Sequence, residues 1–199
     1  MARGFTEDER EAIKQRLVEK GKELFQQYGF QKTSITQITE AVGIAQGTFY
    51  NFFNSKDALY FLILEQEEAD IREQLLNVTY DANESPEEVL KQLFEKILHL
   101  GEINPLIKEL YVGNQLAQLK YRLSAQEIEQ HIAHDTDAFK TIVDKWQTVG
   151  IPITVPPEVV AGIFRSLFIL TMEKEAIGEE VYKDTIDFLL TSVANELVN

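Results

Sequence analysis

The sequence has no cysteine among its 199 residues. Disulfide bonds, thiolate metal sites, iron–sulfur clusters and cysteine nucleophiles are therefore excluded, and a reducing compartment is expected. No uncharged stretch approaches the ~20 residues that span a bilayer, and the N-terminus lacks the apolar core of a signal peptide. We therefore expect a soluble, cytoplasmic protein with no membrane partner.

The alternation of apolar and polar residues that marks strands is almost missing, because apolar residues recur at intervals of three and four. Hydrophobic residues make up 44% of the chain and charged residues 26%, so a substantial core can form and intrinsic disorder is excluded. We predict an all-α fold. Its two expected domains are a three-helix head at residues 1–54 and a helical body at residues 55–199.

Three predicted helices form the head. The first runs from Thr6 to Tyr28 and stops at Gly29. The second is short, begins after Ser34 with the spacing of a capping box, and ends at Gly43. The third, AQGTFYNFF, ends near Phe53. Two short helices joined by a tight glycine turn and braced on a longer helix are typical of a helix-turn-helix.

Small or hydrogen-bonding residues occupy the start and outer face of the third helix. They are Ala45, Gln46, Gly47, Thr48, Tyr50 and Asn51. A recognition helix enters the major groove by its N-terminal end, where small residues permit close approach and Gln or Asn can contact base edges. Lys56, at the start of the fourth helix, combines a positive charge with a helix N-terminus and suits a phosphate.

Charge is distributed unevenly along the chain. Residues 1–62 hold eight basic and eight acidic side chains, whereas residues 63–199 hold 11 basic and 25 acidic ones. The head is thus the only part whose net charge does not repel a polyanion.

The stretch from Gly29 to Leu59 resembles the DNA-binding region of the Tet repressor (TetR) family of bacterial regulators. The residues in register are Gly29, Phe30, Thr33, Ser34, Ile38, Gly43, Gly47, Tyr50, Phe53, Lys56 and Leu59. The resemblance implies phosphate contacts flanking the motif and a groove-facing set within it. The implied DNA-binding residues are Thr33, Ser34, Gln46, Gly47, Thr48, Tyr50, Asn51 and Lys56. Two residues depart from the family pattern: Thr39 stands in place of a small alanine, and Phe52 in place of a polar residue.

The resemblance also implies a homodimer built by the last two helices, which are unusually apolar for terminal surface helices. The candidate interface residues are Val160, Phe164, Leu167, Phe168, Ile186, Leu189, Leu190, Val193 and Leu197. Gly162 and Ser166, four residues apart, would permit close helix contact. The alternative for about half of the set is packing in the monomer's own core.

Apolar and aromatic residues of the body are candidates for the lining of an effector pocket. They are Phe61, Phe94, Leu98, Tyr111, Tyr121, Phe139 and Trp146. For any single one of them, core packing is the better interpretation. As a set they suit a small organic effector.

Catalysis has no candidate residues. His131, His134 and Asp135 have a helical spacing that can bind a metal, but a solvated polar face explains them better. Glycines form no phosphate-binding loop, and no nucleophile elbow or Ser/His/Asp order occurs. We therefore expect neither an enzyme nor a cofactor.

These patterns together predict a ligand-responsive transcriptional repressor. It would bind a palindromic operator in double-stranded DNA as a homodimer, associate with the nucleoid when bound, and be released by a small organic effector. An alternative has the same fold but binds no operator. It is a helical dimer that binds a small molecule or a protein and has a degenerate head.

Overall fold

The computed structural model of the chain describes residues 5–81, 83–111 and 125–199, and no strand occurs in them. In chain order the helices are α1 (Glu7–Tyr28), α2 (Ile35–Val42), α3 (Gln46–Phe49), α4 (Lys56–Leu76), α5 (Pro86–Ile103), α6 (Pro105–Tyr111), α7 (Ala125–Val149), α8 (Pro157–Met172), α9 (Lys174–Ile177) and α10 (Tyr182–Val198). The predicted all-α fold is confirmed. None of the described helices is long and apolar enough to cross a bilayer.

Local capping sets the ends of the head helices. At the start of α2 the Gln37 amide N–H donates to Ser34 Oγ at 3.2 Å, and the Ser34 amide N–H donates to Gln37 Oε1 at 2.7 Å. This is the predicted capping box, and it satisfies two backbone donors that the helix cannot. Helix α2 ends at Gly43, whose φ of 79° is left-handed and favours glycine. The turn into α3 is therefore encoded locally.

One buried cluster joins the head to the first half of α4. Its members are Ile13, Leu17, Phe25, Phe30, Ile38, Val42, Phe49, Phe53, Leu59, Tyr60, Ile63, Leu64 and Leu106. Leu106 belongs to α6, so the body also contributes to this core. The short helices α2 and α3, which cannot persist alone in water, are held by burial against α1 and α4.

A second core lies in the body, where α5 packs against α4, α8 and α10, and α7 packs against α4 and α8. Trp146 of α7 is fully buried, and its indole N–H donates to the Leu75 carbonyl at 2.8 Å. Leu75 lies near the C-terminal end of α4. Helix α4 therefore contributes to both cores, and the boundary at residues 54 and 55 stays a prediction.

A buried ion pair joins α4 to α7. Arg72 Nη1 lies 2.6 Å from Asp135 Oδ1, and both residues are less than 9% exposed. Arg165 of α8 also approaches Asp135, with 3.8 Å between Nη1 and Oδ2. The expectation of a solvated polar face around Asp135 was wrong, because this carboxylate faces inward toward an arginine 63 residues away in sequence.

We predict that Asp135→Ala destabilises the fold, since the buried Arg72 guanidinium loses its closest counter-charge, at 2.6 Å, and keeps only Glu68 at 3.7 Å. The free energy of unfolding should fall by about 3 to 5 kcal/mol, measured by urea denaturation followed by circular dichroism. The matched control is Asp137→Ala, an exposed carboxylate on the same helix, with an expected change within about 0.5 kcal/mol. Equal stability of the two variants would contradict the assignment.

Candidate nucleic-acid interface

The third helix presents an exposed edge to solvent. Phe49 is fully buried and fixes α3 on the head core, whereas Gln46, Gly47, Tyr50 and Asn51 are exposed. Thr48 is half-buried. We call Gln46, Gly47, Thr48, Tyr50 and Asn51 the α3 edge. The predicted groove-facing residues thus lie together on one accessible turn.

Gly47 has no packing reason to be glycine. A Cβ added there would meet no atom of the protein within 4 Å, and its φ is not left-handed. The fold has room for a side chain at this position. The absence of a side chain therefore affects only what approaches the head from solvent. A bare backbone at the start of a recognition helix is what close approach to a groove requires.

Tyr50 is positioned by its buried neighbour. Its ring packs edge-on against Phe49, with centroids 5.6 Å apart and planes at 84°, while 54% of the residue remains exposed. This edge-to-face contact orients the ring without covering it. Tyr50 is therefore an oriented and exposed side chain of the head, with a hydroxyl that can form hydrogen bonds.

Ser34 lies at the exposed N-terminus of α2. Besides accepting from Gln37, its hydroxyl donates to Gln37 Oε1 at 3.0 Å. The predicted phosphate contact by Ser34 stays a prediction, and it would compete with this local hydrogen bond.

Thr33 does not fit the predicted role of a DNA contact. The residue is 1% exposed, and its hydroxyl donates to the carbonyls of Leu24 and Gly29 at 3.1 and 2.9 Å. Leu24 lies near the end of α1, and Gly29 directly follows that helix. The Thr33 side chain thus closes the turn between α1 and α2 and is not available to a phosphate.

Lys56 also faces inward. Its Nζ donates to the carbonyls of Phe30 and Thr33 at 2.6 and 2.8 Å and lies 4.1 Å from the centroid of the Phe30 ring. Charge-assisted bonds to two carbonyls fix the α1–α2 turn against the start of α4. In this structure Lys56 is a structural residue of the head, in place of the predicted phosphate ligand.

Thr39, one of the two departures from the family pattern, is accommodated locally. It is 1% exposed, and its hydroxyl donates to the carbonyls of Ile35 and Thr36, both at 3.0 Å. A threonine at this buried position is therefore satisfied within its own helix.

A polar junction that sequence patterns did not reveal ties the head to α6. The Phe30 amide N–H donates to both carboxylate oxygens of Glu109, at 2.9 and 3.0 Å. The Tyr60 hydroxyl of α4 donates to the Leu106 carbonyl at 3.2 Å. Burial, reinforced by the nearby Glu109 carboxylate, raises the pKa of Tyr60 above its usual value. Tyr60 therefore keeps its proton and remains a donor.

The structure does not bring the predicted effector-pocket residues together. Phe61 packs on the head cluster, whereas Phe94, Leu98, Phe139 and Trp146 are buried in the body core. Phe94 and Trp146 are in ring contact, with centroids 6.1 Å apart. The set thus spans two cores, which corrects the idea of one shared lining. The side chain of Tyr111 and all of Tyr121 lie outside the described residues.

Five of the predicted dimer residues are buried within the monomer. Val160, Phe164, Leu167, Leu190 and Leu197 belong to the body core. Their assignment to an interface was wrong, because the alternative of packing in the monomer's own core holds for them. Phe168, Ile186, Leu189 and Val193 are partly buried against the same core.

Exposed apolar residues that were not among the predicted interface residues lie on the same two helices. Phe188 of α10 is 71% exposed, and Val159 and Ile169 of α8 are 46% and 45% exposed. On α8, helical spacing places Val159 and Ile169 on one face with Gly162 and Ser166. A Cβ added to Gly162 would meet no atom of the protein within 4 Å. This α8 face is thus apolar, small and open.

Comparison with known proteins agrees with the geometry of the head. Residues 17–63 match the model of the family described as bacterial regulatory proteins, tetR family. The matched stretch contains most of α1, all of α2 and α3, and the start of α4. Over these residues the chain is similar to the TetR family. The family is described as one of regulatory proteins.

Individual transcriptional regulators are similar to part of the chain. The HTH-type transcriptional repressor DhaR of Mycobacterium sp. (strain GP1) is 32% identical over 89 residues, which are 45% of this chain and 45% of DhaR. The chain spans less than half the length of the curated relatives it matches.

Solved structures share the fold over nearly the whole chain. A TetR-family regulator from Pectobacterium atrosepticum superposes with a TM-score of 0.67 at 18% identity, covering 97% of this chain and 96% of that one. RolR, solved in complex with resorcinol, gives a TM-score of 0.60 at 18% identity over 98% of this chain and 91% of RolR. The chain therefore shares the fold of these proteins through its body as well as its head.

We predict that Lys56→Met destabilises the head, since the carbonyls of Phe30 and Thr33 lose a charged donor. The free energy of unfolding should fall by about 2 kcal/mol or more in urea denaturation. Lys32→Met, at an exposed position of the same head, is the control and should change stability by less than about 0.5 kcal/mol. If Lys56→Met is as stable as the control, the inward role of Lys56 is wrong.

Proposed function

We propose that the chain is a ligand-responsive transcriptional repressor that binds a palindromic site in double-stranded DNA as a homodimer and is released by a small organic effector. The observation that carries the proposal is the α3 edge, an exposed turn of small and hydrogen-bonding residues held on a buried phenylalanine. A protein with this function acts in the cytoplasm and associates with the nucleoid when bound to its operator.

Direct readout by the α3 edge follows from its chemistry. Gln46 and Asn51 carry amides that pair with base edges, and Tyr50 offers a hydroxyl at the rim. Gly47 permits the backbone to approach the groove, and its outward side has no neighbour in the protein. Two such edges related by a two-fold axis, about 34 to 36 Å apart or more, would read two half-sites of a palindrome.

The open α8 face and Phe188 support the homodimer. Val159, Ile169 and Phe188 are large apolar side chains with about half or more of their surface exposed. Gly162 and Ser166 between them permit close approach of a second helix. A second copy of the chain that presents the same face would bury these residues in a two-fold interface.

Helix α4 and the polar junction at α6 offer a route from the body to the head. Helix α4 contributes Leu59 and Ile63 to the head core and Leu75 to the body core. An effector that binds the body better in one placement of α4 or α6 would shift the head through the Glu109–Phe30 contact. By linkage, effector and DNA would weaken each other's binding by the same factor, typically ~5 to 150-fold.

RolR supports the class of effector, because it is a fold neighbour solved with the small molecule resorcinol. In this chain the aromatic body core around Phe94, Phe139 and Trp146 is the region we assign to such a ligand. Burial of Trp146 makes its fluorescence the natural reporter of binding in that core.

Selection from a random double-stranded library tests the DNA-binding function. We expect wild-type protein to enrich a palindrome. Gly47→Glu should lose at least ~100-fold in affinity for the enriched site, because it places a carboxylate against the groove and its phosphates. The Gly47→Glu protein should keep its fold and its dimer, since the new side chain meets no atom within 4 Å at its Cβ.

The control for this experiment is Glu40→Gln, a charge change at an exposed position of α2. Its affinity for the enriched site should be equal to or slightly above that of the wild type. If Gly47→Glu binds the enriched site as tightly as wild type, the α3 edge is not the DNA-reading surface.

The homodimer generates a separate prediction. Ile169→Glu combined with Phe188→Glu should convert the dimer to a monomer at micromolar concentration, because two carboxylates per protomer would be buried in the interface. Size-exclusion chromatography with light scattering measures the mass. Val181→Glu, at an apolar residue that is 53% exposed before α10, is the matched control and should leave a dimer. A wild-type monomer would contradict the interface.

In a second candidate function the protein is a helical dimer that binds no operator. It is favoured by the inward orientation of Thr33 and Lys56 and by the net charge of -14, which reduce attraction for a polyanion. Such a protein would bind a small molecule or a protein partner. Library selection distinguishes the two functions, since this candidate would enrich no sequence.

A further inference from the structure

Arg10 of α1 contacts the end of the α3 edge. Its guanidinium carbon lies 5.3 Å from the centroid of the Phe52 ring, and Nη2 donates to the Asn51 carbonyl at 3.4 Å. Arg10 and Asn51 are both exposed. The contact therefore places an arginine from the first helix on the same surface as the groove-facing residues, although 41 residues separate the two in sequence.

Phe52 is the second departure from the family pattern, and in the structure its ring packs against the Arg10 guanidinium. The residue is half-buried against the head core, so its ring is held in place from below. An arginine stacked on an aromatic ring keeps its planar fork oriented with less loss of conformational freedom on binding. The guanidinium has five N–H donors, and the long bond to Asn51 uses only one of them.

Three other basic side chains of the head are engaged within the protein. Lys20 pairs with Glu23 at 2.7 Å, Lys22 pairs with Glu67, and Lys56 donates to two backbone carbonyls. These contacts draw positive charge away from a polyanion in a head that has no net charge. A basic group beside the α3 edge therefore contributes a larger share of the head's attraction for a polyanion.

Arg10 lies next to a group of acidic residues in the sequence. The first turn of α1 carries Glu7, Asp8 and Glu9, which repel phosphate. Arg10 follows them directly, and its cationic group lies over Phe52 toward the α3 edge. Arg10 thus adds a positive charge beside the α3 edge, and its guanidinium has donors suited to bidentate contact with a phosphate.

We propose that Arg10 is a phosphate-binding residue of the DNA interface, positioned by Phe52 next to the α3 edge. The inference rests on the proposed DNA-binding function and deepens it by adding a contact from α1. Phosphate contacts carry no sequence information. Arg10 therefore contributes to affinity and to the orientation of the head on the duplex, while the α3 edge determines sequence preference.

Arg10→Gln tests this inference in the full-length protein with DNA from the library selection. Loss of one phosphate contact per protomer should weaken binding on the order of 10-fold for each contact at 0.1 M salt. The slope of log affinity against log salt should become less steep by about 2 for a dimer. Specific and unrelated DNA should lose affinity to a similar extent, and Arg10→Lys should restore much of the slope.

Two further variants separate phosphate binding from a structural role. Lys20→Gln removes the same charge from the same helix about 15 Å away, and it should leave the salt slope within about 0.5 of wild type. Phe52→Leu removes the aromatic face while keeping an apolar side chain, and it should weaken DNA binding several-fold with little change in thermal stability.

The outcomes distinguish this inference from the proposed function. If wild-type protein enriches no DNA, the proposed function fails and the inference fails with it. If wild type binds its site and Arg10→Gln keeps the wild-type salt slope, the inference alone is overturned. It is overturned as well if Arg10→Gln lowers thermal stability and regains wild-type affinity once refolded at lower temperature.

Discussion

The backbone of a single residue, Phe30, is bound from two directions by the rest of the chain. Its N–H donates to the carboxylate of Glu109 on α6, and its carbonyl accepts from Lys56 on α4 at 2.6 Å. Gly29 is required beside it, since its φ is +80° and an added Cβ would lie 2.8 Å from Glu109 Oε1. The turn between α1 and α2 is thus fixed on two body-linked helices, and the direction of the α3 edge depends on it.

Helix α4 connects the fixed turn between α1 and α2 to the body of the protein. The helix contributes to the head core at one end and to the body core at the other, where Arg72 pairs with Asp135. A rigid helix shared by two cores transmits a shift, because packed interiors do not deform continuously. Under the proposed function, a ligand in the body would act on DNA binding through α4 and α6.

Local chemistry explains which features the sequence predicts. The Ser34–Gln37 capping box, the Gly43 turn and the exposed residues of α3 depend on neighbours within a few positions. Inward-facing polar groups were missed, because Lys56 finds its acceptors 23 and 26 residues away. A cation at a helix N-terminus has the same local pattern whether it faces solvent or a buried carbonyl. Likewise, periodicity marks α8 and α10 as apolar but does not say which of their faces the monomer already covers.

Hydroxyl-radical footprinting of wild-type protein on its selected DNA tests the central claim, that two α3 edges related by two-fold symmetry read one site. Recognition helices in successive major grooves protect the backbone on either side of each groove. The account predicts two equivalent protected regions, related by two-fold symmetry and centred about one helical turn or more apart. Protection of one asymmetric region, or uniform protection along any DNA fragment, would contradict it.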